Sequence, residues 1–443
     1  MRHPVLSSLY SLLLLTVIGC AGHSAPAYSA LLNPSVQAQT PSTKPAANSG
    51  AKSSLSTDPF ESAEISDASE LKPLPVTQIK RLPPQTVQDY EDEAGTSADP
   101  SQADISSIDA AELGAPIPNP EPALSPEDLI TLKMAEKKAE VFPEIVTQPT
   151  QNPMGQAIND ALWYQGMTKN DAMTVKLQIL LDWNHTSPGP IDNGWGMNSK
   201  KALRGFEHLH GLDIDGRMDA MTFSLLYDNF MGQDAIVDYV ITEEDASYDF
   251  AVIPSGYPAK SKLKWLGYTN LIELLGERFH MDVRFLKSLN PESKFKAGDT
   301  ISVVNTGVTL DRPINRIEVN KTDQILYAFD GDEMVATYPT TIGSSSTPTP
   351  VGTHTVINSV YMPWYSGKDD SDPKKRWPIA PGPNNPVGVV WNGLSKPSYG
   401  IHGSPVPEGI SRQASQGCVR LTNWDVLEFY SAVQIGATVV FIE

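Results

Sequence analysis

Beyond Arg312 the apolar residues recur with a period of two, and that change of pattern fixes what the last third of the chain can fold into. Ile317 and Val319 alternate with polar neighbours, Ile325 to Phe329 follows, Asp330-Gly331 makes a hairpin turn, and Met334 to Thr341 returns. Successive side chains of a strand face opposite ways, so alternation marks half-buried strands, and an Asp-Gly pair supplies the positive φ of a tight hairpin. Val351 to Val360, Val387 to Trp391 and Thr438 to Ile442 read as further strands. Thr422 with Asp425 resembles a capping box that opens one helix, running to Ile435 and stopped by Gly436. Mostly strands with one late helix predict a β-sandwich or partly closed barrel over residues 312–443.

Within this region lie Tyr399-Gly-Ile-His402-Gly403 and Ser415-Gln-Gly417-Cys418-Val-Arg420. A histidine and a cysteine sixteen positions apart do not share adjacent turns of a helix. Gly403, Ser404, Pro405, Pro407, Gly409 and Ser411 between them read as a loop that folds back. Imidazole brought to thiol is the minimum for an activated cysteine nucleophile. The chain has only two cysteines, Cys20 and Cys418, and its last third holds only two histidines, His354 and His402. His354 sits in a β-branched run and reads as a half-exposed strand residue, which leaves His402 as the base. A buried free cysteine is commonly inert, but Ser415, Gln416 and Gly417 argue against an apolar core position for Cys418.

The same residues resemble the signature of the L,D-transpeptidase (YkuD-type) catalytic domain: a histidine-glycine pair, then Ser-His-Gly-Cys with Arg or Asn two residues on. The resemblance takes in Thr349-Pro-Val-Gly, Asn385-Pro-Val-Gly and Tyr399-Gly-Ile-His. Gln416 stands where many members carry a second histidine, and glutamine does not titrate. The resemblance implies a β-sandwich whose Cys418 attacks the diaminopimelate–D-Ala bond of a tetrapeptide stem. It further implies His402 oriented by the Gly403 carbonyl, an oxyanion held by the Gly417 and Cys418 amides, and a loop organised by Ser415. Arg420 either pairs with a stem-peptide carboxylate or closes the loop, and Tyr399 and Trp391 are candidate substrate contacts. A second stem would give a 3→3 cross-link, a lipoprotein lysine an anchored protein, and water a carboxypeptidase. A wall-binding protein with a decayed catalytic domain is the rival reading.

The start of the chain reads as an export signal. Its apolar run, Val5 to Ile18, is shorter than the ~20 residues a membrane helix needs. Val17-Ile-Gly-Cys20 resembles a lipoprotein lipobox, with an ordinary secretory signal over the same residues as the other reading. Residues 1–19 are then a signal peptide and Cys20 the lipidated residue. Ala21 in place of Asp favours the outer membrane, reached from the periplasm. With Cys20 lipidated, Cys418 is a free thiol in an oxidising compartment. Residues 20–150, rich in Pro, Ser and acids, read as a disordered tether, with Ser125 capping a short helix over Pro126 to Val141. Much of the chain's net charge of −19 falls here, which argues against nucleic acid and anionic lipid as partners.

Two small units precede the strands. Over 154–230, apolar residues at helical spacing predict a three-helix unit that resembles a peptidoglycan-binding-like module. Asp213, Asp215 and Asp219 lack the twelve-residue calcium loop and its closing glutamate, so they read as a turn. Over 263–306, two helices and Ala297-Gly-Asp-Thr-Ile-Ser-Val-Val resemble a LysM module, either sugar-binding or a spacer. The fold class is thus multidomain: a mainly-β catalytic domain after a three-helix module and a small α+β unit. A Pro-rich insert between Tyr361 and Pro386 reads either as a lid carrying Trp364, Tyr365, Lys374, Lys375, Arg376 and Trp377, or as a solvated loop. No His/Cys/carboxylate cluster has metal-ligand spacing and no cofactor is expected; the expected partner is peptidoglycan, met by a monomer.

Overall fold

The computed structural model describes residues 125–443, apart from 169, 229, 370, 371 and 373. The export signal, Cys20 and the acidic stretch up to residue 124 lie outside the described residues. No helix among the described residues is long and apolar enough to cross a membrane.

The chain enters through α1 (Pro126–Val141), whose first turn is closed by Ser125 and Asp128 in a reciprocal capping box. A short strand β1 (Gln148–Pro149) leads to helices α2 (Pro153–Asp160), α3 (Asp171–Trp183), α4 (Met197–Leu209) and α5 (Ala220–Asp228). Asn152 and Asn170 cap α2 and α3. The unit therefore has four helices where three were expected. The additional one, α2, offers only Met154 and Ile158 as large apolar residues, too few for a periodic signal. The aspartates of the 213–219 turn serve local backbone: Asp215 accepts the Arg217 amide and Asp219 the Thr222 amide.

Next come β2 (Ile236–Val240), one-turn helices α6 (Glu243–Ala246) and α7 (Tyr257–Lys260), then α8 (Leu271–Arg278), α9 (Val283–Leu289) and β3 (Thr300–Val304). Strand β2 is central in an antiparallel sheet, paired on one side with β1 and on the other with β3. A unit beginning at 263 would lose this strand, which lies far upstream of its partner in sequence. Leu180, Leu203 and Phe206 of the helices share one continuous core with Leu275, Leu286, Ile301 and Val303. What the sequence divides into two modules packs around a single interior.

Residues 314–442 form β4 (Ile314–Asn320), β5 (Ile325–Asp330), β6 (Glu333–Pro339), β7 (Gly352–Tyr361), β8 (Tyr365–Lys368), β9 (Arg376–Ile379), β10 (Val390–Leu394), β11 (Gly400–His402), β12 (Val419–Arg420), α10 (Asn423–Ala432) and β13 (Val433–Ile442). Eight of these strands make one sheet in the order β12-β11-β10-β7-β13-β4-β5-β6. Of the two expected forms, sandwich and partly closed barrel, the sheet takes the second: a half-barrel curled around α10, whose Val426 and Phe429 are buried in one core with Ile317, Val319, Leu326 and Val439. Period two reports that one face of a strand is buried but not whether a second sheet or a helix covers it. Helix α10 ends at Ala432, short of the expected Ile435. Val433 already pairs with Ile314, and Gly436, at φ 91°, sits in the bulge between Val433 and Thr438.

Helix α1 departs from a tether altogether. Met134 and Val141 are buried in the core of the β-domain, and Lys137 Nζ donates to the carbonyls of Tyr430 (2.8 Å) and Val433 (3.3 Å) at the end of α10. Those carbonyls are ones a helix leaves unsatisfied at its C-terminus. Burial lowers the Lys137 ammonium to about 8. Replacing it by Met keeps the stem but removes both donors. Lys137→Met is expected to cost about 1–3 kcal/mol in urea unfolding, and an unchanged midpoint would refute this capping role.

Candidate active site

Two very short strands carry the sequence-predicted pair. Strand β11 pairs antiparallel with β10, Trp391 opposite His402, and parallel with β12, Ile401 beside Val419 and His402 beside Arg420. Cys418 immediately precedes β12, so the parallel pairing sets the nucleophile loop against the histidine strand. The Gly400 amide donates toward the sulfur, and Sγ lies 3.7 Å from the Ser398 carbonyl.

His402 is buried, its Nδ1 2.7 Å from the Gly403 carbonyl. A carbonyl only accepts, so Nδ1 carries the proton and Nε2 holds the basic lone pair. The Trp391 ring stacks over the imidazole at 5.6 Å. Burial, assisted by the Arg420 cation, pushes the imidazole down to about 4. Burial likewise pushes the Cys418 thiol up, while the Gly400 amide, Arg420 and Lys368 oppose that rise. Both groups are therefore neutral at rest near pH 7.

Ser415 ties the nucleophile loop together. Its Oγ donates to the Cys418 carbonyl at 2.6 Å and accepts the Gly417 amide at 3.0 Å, and its own amide donates to Ile342. Gly417 has φ 108°, and a Cβ there would come within 2.8 Å of the Tyr399 ring. Only glycine fits. The Gly417 amide is occupied by Ser415, so the expected pair of oxyanion donors is reduced to Cys418, whose N–H meets no acceptor among the described residues. The reason is local: a serine two residues upstream captures the nearer amide as an ST-turn. Gln416 is exposed. Arg420 keeps a buried Nε without a partner among the described residues.

The Pro-rich insert folds as a hairpin of β8 and β9. It is fastened outside the β-domain: the Tyr257 ring of α7 lies 5.6 Å from Tyr365 and fills the space where a Gly367 Cβ would be, and Leu266 forms a small core with Ile379 and Ala380. Lys368 on β8 acts on the thiol, while Lys375 turns back on Trp377 at 4.2 Å. Lys368 escaped the sequence reading, which drew attention to the denser run Lys374 to Arg376. His354 stays on β7, its ring edge against Phe441.

Residues 314–442 match the family model of the L,D-transpeptidase catalytic domain. This part of the chain is similar to YkuD-type transpeptidase domains. It is similar to the YkuD proteins of Bacillus licheniformis (35% identity, 28% of this chain, 63% of the relative) and Bacillus subtilis (34% identity, 24% of this chain, 54% of the relative). The chain thus spans roughly six tenths of the length of these relatives. A solved L,D-transpeptidase from Mycobacterium smegmatis aligns with 33% of this chain and 64% of its own, at 17% identity and a TM-score of 0.25.

Arg420 favours thiolate over thiol at Cys418 and neutral imidazole over imidazolium at His402. Thiolate is the nucleophilic form, so alkylation of Cys418 should rise with pH. Removing the cation lets the thiol rise further. Arg420→Gln is expected to shift the iodoacetamide alkylation profile of Cys418 to higher pH and slow it at pH 7. A profile unmoved by the substitution would show that the charge does not reach the sulfur.

Proposed function

We propose that this protein is a peptidoglycan L,D-transpeptidase with Cys418 as nucleophile and His402 as base. The observation that carries the reading is the placement of His402, oriented by the Gly403 carbonyl, on the strand paired with the one that Cys418 opens, within the span that matches the transpeptidase domain. His402 Nε2 takes the thiol proton as sulfur adds to the diaminopimelate carbonyl of a tetrapeptide stem. The Cys418 amide holds the oxyanion. Collapse breaks the C–N bond, D-Ala leaves with the proton from His402, and a thioester remains. The amine of a second stem then attacks, its proton passes to His402, and the thiol is restored with a 3→3 cross-link formed. A lipoprotein lysine or water could attack the same thioester instead, giving an amide or a free carboxylate and restoring the thiol.

Arg420, whose Nε meets no partner among the described residues, is assigned to a stem-peptide carboxylate. Tyr399 and Trp391 line the approach beside Gly417 and His402. The helical unit over 154–230 is assigned to peptidoglycan contact, and the β2–α8–α9–β3 unit to glycan. Export and lipidation at Cys20 would place the enzyme in the periplasm, held at the outer membrane.

The test is intact-mass spectrometry with a carbapenem, a β-lactam that would acylate the thiol. Wild type is expected to gain one adduct, Cys418→Ala none, and His402→Ala one only slowly, by about 10²–10⁴-fold. Disaccharide-tetrapeptide then separates cross-linking from hydrolysis by product mass. A folded wild type that forms no adduct would sink the catalytic reading in favour of a wall-binding protein.

A further inference from the structure

The Gly403 backbone, whose carbonyl orients His402, packs on a buried side chain. Asn423, buried at the first position of α10, accepts the Val389 amide through Oδ1 at 3.3 Å. The same oxygen lies against Gly388 and Gly403, where a Cβ would come within 2.3 and 2.4 Å of it. On its other side, Asn423 Nδ2 donates to both carboxyl oxygens of Glu277, at 3.2 and 2.9 Å, and to the Pro383 carbonyl at 3.2 Å. Glu277 belongs to α8, outside the residues that match the transpeptidase domain. It is buried, with no cation paired to it among the described residues. Burial pushes its carboxyl up to about 8, with Glu273 of its own helix and Glu408 of the 407–409 turn adding to the rise and Asn423 and Tyr268 opposing it by hydrogen bonds. A protonated carboxyl still offers an acceptor oxygen to Nδ2.

We propose that Asn423, anchored from across the junction by Glu277, is the positioning residue that fixes the Gly403 carbonyl and so keeps the proton on His402 Nδ1. The β2–α8–α9–β3 unit thereby contributes to the geometry of the base. The effect on rate rests on the reaction proposed above, whereas the effect on the imidazole does not.

The test uses the full chain labelled with ¹⁵N-histidine, the His402 signal assigned by its loss in His402→Ala, with carbapenem acylation of Cys418 in parallel. Wild type is expected to show the Nδ1–H tautomer alone. Glu277→Leu and Asn423→Ala should mix the tautomers and slow acylation between about 10- and 100-fold. Glu277→Gln, which keeps an acceptor for Nδ2, should retain both the tautomer and the rate. The double variant should be no slower than the slower single one, because both act through one contact. An unmixed Nδ1–H tautomer in every variant overturns the proposal, whether or not wild type is acylated. Mixed tautomers in Glu277→Leu with a wild type that resists acylation would uphold the contact and remove the proposed reaction instead. Should Asn423→Ala fail to fold, the contrast between Glu277→Leu and Glu277→Gln decides alone.

Discussion

The parallel pairing of β11 with β12 is the constraint on which the site depends. Each strand is too short to be stable alone, and a parallel pair needs a crossover connection. Here the crossover is the loop from Gly403 to Gly417, and it is held by what surrounds it. Thr341 exchanges backbone bonds with Arg420, Ser415 bonds to Ile342, and the Thr347 hydroxyl donates to the Ser415 carbonyl. Gly343 packs so closely on Gly417 that a Cβ would meet its Cα at 2.9 Å. The segment after β6 therefore clamps the nucleophile loop, while β10 clamps the histidine strand.

A second layer of order comes from the junction between the helical unit and the β-domain. His185 Nδ1 meets Glu428 Oε2 at 3.1 Å, and His280 Nδ1 meets Asp182 Oδ2 at 2.8 Å while its ring stacks on Trp424. Burial alone would raise the Glu428 carboxyl, but His185 and the hydroxyl of Tyr338 outweigh it and hold it below its usual value. These groups border a cavity of about 410 Å³ together with Glu277, Asn423 and Asp425. Paired charges of this kind are costly to break singly, since the survivor is left buried without its partner. The junction is thus specific as well as tight, and it lies directly behind the loop that carries Gly403.

Local chemistry was legible in the sequence; what lies between distant segments was not. Strands β4 to β7, β10 and β13, the Asp330-Gly331 turn, the Thr422 cap and the pairing of His402 with Gly403 follow from periodicity, turn residues and motif, whereas β8, β9, β11 and β12 lie outside the expected strands. The choice between sandwich and half-barrel did not follow, because α10 and a second sheet bury a strand face equally well. Strand β2 was missed since its partner β3 lies beyond four intervening helices, α6 to α9. Lys137 and Glu277 look like ordinary surface charges in sequence, and only the docking of α1 and α8 buries them. Asn423 follows a helix cap and has no local signal at all. Gly417 was legible as a glycine required beside the nucleophile, but the capture of its amide by Ser415 emerged only with the turn geometry.

The electrostatics of the site carry a consequence for the thiol. A thiolate–imidazolium pair would be permanently reactive, and thiolate is the form that oxidants attack. Burial here disfavours both ions, and Arg420 opposes the imidazolium while favouring the thiolate. Burial therefore favours the neutral form of each group, the thiol and the imidazole. Lys368, on a hairpin fastened to Tyr257 and Leu266, adds a second cation that favours the thiolate. The segment from Tyr257 to Leu266 packs on the hairpin that carries Lys368, and Glu277 bonds to Asn423 behind Gly403. Both belong to the chain before residue 314, which makes that region part of the electrostatic and steric frame of the site.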